Sequence, residues 1–352
     1  MATDAPVLNT AGNELQPGAA DAARAAPLLQ VQGLRTALRR RGAEVVLVDA
    51  VGLELDRGET VALVGESGSG KSVTALSIAR LLGPGLVTTA GTVRLDGREL
   101  LALSEAEFRP LRGREIGMVF QEPMTSLNPI LSIGLQLTET LRLQSADGRS
   151  AKARAAEMLH EVGIEQPERR LAMYPHQLSG GMRQRVMVAI ALAAHPRVLI
   201  ADEPTTALDV TTQAQILDLI AERQRALGAA MLLITHDMGV VARHAKRVNV
   251  MYAGTLVERG PAAPLFADPR HPYTRGLLRS IPRLDRPRVA RLPAIEGLPP
   301  SPSQRPGGCS FRPRCEHASA RCDAPPPLVA VGPGRQVACW HAAELPRFVQ
   351  AA

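Results

Sequence analysis

The sequence predicts an α/β fold: a parallel sheet with helices on both faces, followed by a Pro- and Cys-rich C-terminal extension. Three observations carry this. Short apolar runs (Val45–Val48, Val61–Val64, Val198–Ala201, Met231–Thr235) alternate with longer stretches of helical pattern, as in β-α-β units. A glycine-rich loop, Gly65 to Gly70, joins one of these strands to a helix. Beyond Pro261 the composition changes: Pro282, Pro287, Pro293, Pro299, Pro300, Pro302 and Pro306 crowd in, and regular structure is not expected there.

The elements follow in order. Residues 1–27 are rich in Ala, Asp, Pro and Gly without periodicity and read as a disordered tail. Structure begins at Leu28. Asp56-Arg57-Gly58 supplies a turn between strands. A helix should open near Gly70 and run through Ala75, Leu76, Ile78 and Ala79. Val93–Leu95 before Asp96-Gly97 has the form of one arm of a hairpin. From Leu131 to Leu178 the pattern is mostly helical. A boundary near Phe266 divides the chain into a domain over 28–265 and an extension over 266–352. No internal repeat is found.

Composition narrows the function. With 45% hydrophobic but only 3% aromatic residues, the core must be filled by Val, Leu, Ile and Ala. The net charge of +7 comes almost wholly from arginine. No aromatics interleave those arginines, so a solvated basic surface fits better than nucleic-acid binding. The apolar run Val186–Ala194 is far short of the ~20 residues of a membrane span. The N-terminus, with Asp4 where a basic region should stand, is not expected to be a signal peptide. A cytosolic chain that docks on a membrane protein is expected. Four cysteines, all after residue 308, point to a metal or to free thiols rather than disulfides.

Gly65-Glu66-Ser67-Gly68-Ser69-Gly70-Lys71-Ser72 fits the G-x-x-x-x-G-K-[ST] phosphate loop in its expected strand–helix context. Its glycines let backbone N–H groups turn inward around phosphates. Lys71 adds charge for the β- and γ-phosphates, and the Ser72 hydroxyl can ligate Mg²⁺. Val198-Leu199-Ile200-Ala201-Asp202-Glu203 is a buried strand that releases two carboxylates at its C-terminal end, where open α/β sheets bind ligands. Asp202 is placed to hold Mg²⁺ through water, and Glu203 to take a proton from an attacking water.

The chain at this point resembles the ATP-binding cassette family. Leu178-Ser179-Gly180-Gly181-Met182-Arg183-Gln184 is similar to that family's signature motif, with Ser179 and two glycines opening a helix that can receive a phosphate. Gln121 resembles the glutamine that touches Mg²⁺ and water and couples to the membrane subunits. Ala207-Leu208-Asp209 resembles the loop that contacts a partner cassette, and His236 the switch histidine near the γ-phosphate. The resemblance implies a nucleotide-binding domain with a mixed-sheet core and a helical subdomain at about 122–178. It also implies two cassettes closing head to tail around two ATP molecules, each held between the Lys71 loop and the partner's signature loop. One departure is visible: Leu38-Arg39-Arg40-Arg41 has no aromatic residue to stack on adenine, so Leu38 or an arginine could cover the ring.

Gln121-Glu122-Pro123-Met124-Thr125-Ser126-Leu127-Asn128-Pro129 and His271-Pro272-Tyr273-Thr274-Arg275-Gly276-Leu277-Leu278 are similar to the oligopeptide/dipeptide importer subfamily, which also handles nickel and other small solutes. That resemblance implies ATP hydrolysis driving uptake from the cytoplasmic face of a bacterial inner membrane. The implied partners are a second ATP-binding subunit, two permease subunits and a periplasmic or extracellular solute-binding protein. Cys309, Cys315, Cys322 and Cys339 resemble the subfamily's C-terminal cysteine motif, which in some relatives carries a [4Fe–4S] cluster; four reduced thiols stand as the equal alternative. A soluble ATPase acting on nucleic acid or ribosomes is the rival class, disfavoured by a single cassette and no sustained heptads.

Overall fold

A computed structural model describes residues 26–40, 42–142, 150–205, 208–281 and 293–349. Residues 1–25 of the tail expected over 1–27, with Arg41, Ala207, Pro282 and Pro287, lie outside the described residues.

The chain opens with an antiparallel pair, β1 (Leu29–Arg40) and β2 (Ala43–Leu55), which runs from Leu29↔Leu55 to Arg40↔Ala43 with register shifts between Val31 and Ala37. The run Val45–Val48 is thus part of one long strand. β3 (Thr60–Val64) is buried at all five positions and passes into the glycine loop. α1 (Lys71–Ile78) begins there, with Gly70 as N-cap in the left-handed region at φ 101°. β4 (Leu86–Leu95) returns to β1, and β5 (Arg98–Glu99) folds back on β4. Asp96 and Gly97 turn between them at φ 51° and 80°, the two positive values of a tight primed turn. The hairpin legible at Asp96-Gly97 is therefore present.

A capping box between Ser104 and Glu107 starts α2 (Glu105–Phe108). β6 (Ile116–Val119) and α3 (Pro123–Ser126) follow. The helical stretch expected from Leu131 to Leu178 is interrupted: it forms α4 (Ile133–Arg142), α5 (Ala151–Glu161) and α6 (Pro167–Leu171). Gly163 at φ 74° and Gln166 at φ 52° break the chain between α5 and α6, and Pro167 sits at the start of α6, where its missing N–H costs nothing. α7 (Gly180–Leu192), β7 (Val198–Asp202), α8 (Val210–Leu227), β8 (Ala230–Thr235), α9 (Met238–His244), β9 (Arg247–Tyr252) and β10 (Thr255–Pro261) complete the sequence-predicted domain.

Beyond Pro261 the chain is more regular than its prolines suggest. It forms α10 (Ala262–Ala267), α11 (Pro272–Arg279), β11 (Val329–Gly332) and β12 (Arg335–Val337). Pro272 starts α11 rather than breaking it, with the His271 side chain accepting from the Tyr273 N–H at 3.0 Å.

The main sheet runs β6-β7-β8-β3-β9-β10-β12-β11. The first five strands are parallel, and the rest pair antiparallel. It is a mixed sheet, and the extension adds its last two strands. A second, antiparallel sheet, β2-β1-β4-β5, faces it across α1. Alternation within the strands divides the core. Val198, Ile200, Val61 and Leu63 meet Leu29, Leu53, Val93 and Ile78. On the other face, Leu199, Ala201, Met231 and Leu233 meet α4, α5, α7 and α8. A third cluster joins Ala62, Val64, Val248 and Tyr252 to Tyr273 and Phe311 of the extension.

Glu258 on β10 ties the extension in place. It is fully buried, accepts from the Arg270 and His271 N–H groups at 2.8 and 2.9 Å, and lies 3.3 Å from Arg335 on β12. Burial pushes its carboxyl upward, and these donors oppose that shift. Replacing Glu258 with Ala orphans two backbone donors and leaves Arg335 without this carboxylate, so a loss of about 3 kcal/mol is expected. Urea unfolding of the purified chain checks this; a loss below about 1 kcal/mol contradicts it.

Candidate nucleotide site at the strand ends

The parallel register decides which residues can meet. Val64 pairs with Thr235, Asp202 with Ile234, and Ala201 with Val119. The residues that follow, Gly65, His236, Glu203 and Gln121, therefore emerge along one edge of the sheet. This is the edge that open α/β sheets offer to ligands.

The glycine loop is shaped by contacts that exclude side chains. A Cβ on Gly65 (φ 152°) would stand 2.2 Å from the Met251 carbonyl oxygen and 2.8 Å from Ser69 Oγ. One on Gly70 would stand 3.3 Å from the Leu47 carbonyl oxygen. Lys71 is buried, and its Nζ donates to the Gly65 and Glu66 carbonyls at 2.8 and 3.0 Å. It lies 3.9 Å from Glu203 Oε1. Burial lowers the Lys71 pKa, and Glu203, Asp202 and Glu66 oppose the shift. The ammonium is poised to exchange loop carbonyls for a stronger anion. Ser69 Oγ is buried and has no hydrogen-bond partner among the described residues.

Ser72 Oγ donates to Asp202 Oδ1 at 3.0 Å. Burial raises the Asp202 pKa, against the Ser72 hydrogen bond that lowers it. A hydroxyl and a carboxylate in contact at the helix start fit a hard cation such as Mg²⁺. Glu203 stands at φ 43°, outside the regions a side chain prefers. Its N–H donates to the Ile234 carbonyl at 2.9 Å. Gln121 Nε2 donates to Glu203 Oε2 at 3.0 Å, and His236 Nδ1 lies 3.4 Å from Oε1. Glu203 is thus the meeting point of Lys71, Gln121 and His236. A cavity of about 310 Å³ runs from Ser67, Gly68 and Lys71 past Ser72 to Gln121 and Glu203.

Not every candidate residue lines that cavity. Ser179 is the N-cap of α7, accepting from the Met182 N–H at 3.3 Å. Asp209 is the N-cap of α8, accepting from the Thr212 N–H at 3.0 Å, which holds its carboxyl below the usual range. A Cβ on Gly181 would meet Thr212 at 3.2 Å. Ser179, Gly180, Gly181 and Asp209 therefore form a second group at two adjacent helix starts, apart from the phosphate-loop cavity. Leu38, one of the residues that could cover a base, stands beside Gly85. The apolar wall of the cavity comes from Leu47, Val73 and Pro302. Pro302 had no signal in the sequence, because it reaches the site from the extension.

The four cysteines, for which a cluster and reduced thiols stood as equal readings, gather in the extension. Cys309, Cys315, Cys322 and Cys339 are free thiols in one neighbourhood, and Cys309 N–H donates to the Cys322 carbonyl at 3.0 Å. Burial raises the thiols of Cys315 and Cys339 to about 11, favouring the protonated form. Among the described residues no group of three or more His, Cys, Asp or Glu is placed to hold a metal ion.

Residues 48–206 match the model of the ABC transporter family, and residues 257–322 that of the oligopeptide/dipeptide transporter C-terminal region. The chain is 52% identical over 318 residues to a Brucella melitensis protein provisionally named a peptide import ATP-binding protein, covering 87% of this chain and 94% of that one. A Brucella abortus protein of the same description is 50% identical, with 90% and 95% covered. Among solved structures, a dimeric ATP-binding cassette in a post-hydrolysis state with ADP and Pi superposes with a TM-score of 0.60 at 29% identity, over 66% of this chain and 98% of that one. The cbiO1 protein of Clostridium perfringens, part of an ABC transporter complex, gives 0.57 at 26% identity, over 68% and 91%.

The Gly65 contact yields a direct test. Gly65→Ala drives a methyl group into the Met251 carbonyl, so the loop must shift. At least a tenfold loss of ATP affinity is expected in equilibrium binding to the folded variant, roughly the effect of losing one charge-assisted hydrogen bond. Unchanged affinity would show that the loop geometry does not set phosphate binding.

Proposed function

This chain belongs to the ABC transporter family, and on that footing we propose that it is the ATP-hydrolysing subunit of an importer of di- and oligopeptides. The carrying observation is that the oligopeptide/dipeptide C-terminal region packs on the same sheet that holds the hydrolytic edge around Glu203. A soluble role on nucleic acid or ribosomes is not favoured.

ATP enters along the strand ends with its phosphates in the glycine loop. Lys71 leaves the Gly65 and Glu66 carbonyls for the β- and γ-phosphate oxygens. Ser72 and Asp202, with Gln121, are the residues that would hold Mg²⁺, whose charge offsets that of the phosphates. Glu203 is the general base: it accepts a proton from a water aligned on the γ-phosphorus, while Gln121 and His236 fix its carboxylate. Positioning and charge do most of the work, since phosphoryl transfer needs little covalent help.

Ser179 and Asp209 stand apart from their own chain's phosphate loop, so they serve a second cassette. We assign the assembly as two ATP-binding subunits, identical or homologous, closing head to tail. Two permease subunits contact the helical subdomain at about 122–178, and a periplasmic or extracellular solute-binding protein delivers the peptide. The chain then works peripherally, at the cytoplasmic face of the inner membrane. Among the described residues no helix is long and apolar enough to cross a membrane.

The test is uptake into vesicles reconstituted with the native membrane partners and loaded with ATP. Labelled di- and oligopeptides are expected to accumulate, and Ser179→Arg is expected to abolish accumulation and ATP turnover together by blocking closure. ATP turnover with nickel uptake but no peptide uptake would move the cargo to another solute. Normal turnover in Ser179→Arg would overturn the head-to-tail assembly.

A further inference from the structure

Glu66 is one of the four loop positions that the motif leaves open, and its N–H, carbonyl and carboxylate are all tethered. Its N–H donates to Tyr273 Oη at 2.7 Å. Its carbonyl accepts from Lys71 at 3.0 Å. Its carboxylate takes both arms of Arg314, with Nη1 donating to Oε2 at 2.6 Å and Nη2 to Oε1 at 3.0 Å. Tyr273 and Arg314 both belong to the C-terminal extension, 207 and 248 residues from Glu66.

Arg314 is itself held rigidly. Its side chain is 5% exposed. Its Nε donates to the Glu296 carbonyl at 2.9 Å, and Nη2 to the Gly297 carbonyl at 3.1 Å. The guanidinium lies 5.8 and 5.9 Å from the Tyr252 and Phe311 ring centroids, within the reach of a cation–π contact. A bidentate pair with a fixed arginine is the strongest tether a carboxylate finds on a protein surface.

The electrostatics give the tether a purpose. A carboxylate on a loop that must wrap a polyanion opposes binding unless its charge is met. We propose that Arg314 is a positioning residue of the ATP site: it neutralises Glu66 and draws its side chain toward the extension, so that the phosphate loop is pre-set for a triphosphate. Tyr273 fixes the backbone of the same residue. The extension is then a working part of the nucleotide site, in addition to its place on the sheet. The proposal rests on ATP occupying the loop.

The test is a double-mutant cycle on ATP affinity and on KM and kcat for hydrolysis, with thermal melts to establish folding. Arg314→Ala leaves the Glu66 charge unmet, and roughly a tenfold rise in Kd and KM is expected, with a smaller change in kcat. Glu66→Gln removes the same charge, so adding it to Arg314→Ala should restore much of the affinity. A purely structural role for Arg314 gives no such rescue. Arg314→Lys keeps the charge but loses the fork, and an intermediate affinity is expected; it replaces Arg314→Ala if that variant does not fold. Wild-type affinity in Arg314→Ala or Arg314→Lys, or losses that simply add in the double variant, overturn the proposal. A wild-type chain that binds no ATP overturns the functional reading instead.

Discussion

The site depends on one constraint: five parallel strands whose carboxyl ends are brought level by their hydrogen-bonded register. That ladder sets the glycine loop, Asp202–Glu203, Gln121 and His236 along one edge without any contact designed for the purpose. Glu203 shows how firmly the edge is held. It keeps a positive φ of 43°, which costs a residue with a Cβ roughly 1–2 kcal/mol. The Ile234 carbonyl holds its N–H while Gln121 reaches its carboxylate. The strain turns the carboxylate away from the strand and toward Lys71 and His236.

The same sheet explains why the extension matters. β12 pairs with β10, and Glu258 anchors both to the start of α11. α11 in turn carries Tyr273 to the glycine loop. Three aromatic rings, Tyr252, Tyr273 and Phe311, pack with centroids 4.7 to 5.4 Å apart and form the apolar floor under Arg314. Folding of the extension and shaping of the phosphate loop thus share residues.

The local parts of this arrangement were legible in the sequence. Gly65–Ser72 and Val198–Glu203 carry their chemistry in consecutive residues, and Asp96-Gly97 specifies its own turn. What was not legible is long-range. The pairing of Arg259 with Gln336 leaves no periodic trace, and neither does the salt bridge from Arg314 to Glu66. The strings around Tyr273 and Cys315 marked a subfamily but did not reveal what they touch. Proline misled in one place: Pro272 opens a helix, because the first turn needs no N–H. Leu131–Leu178 reads as mostly helical and is so, but the pattern of apolar residues does not mark the breaks at Gly163 and Gln166.

The account stands or falls on Glu203 as the base at this edge. The most direct measurement compares ATP binding and single-turnover hydrolysis in the wild-type chain and in Glu203→Gln, with native partners present. Glutamine keeps the shape and the contact to Gln121 but cannot take a proton. The account predicts wild-type ATP affinity with hydrolysis reduced by at least about a hundredfold. Hydrolysis at the wild-type rate would remove Glu203 from the chemistry and leave the converging contacts without a catalytic meaning.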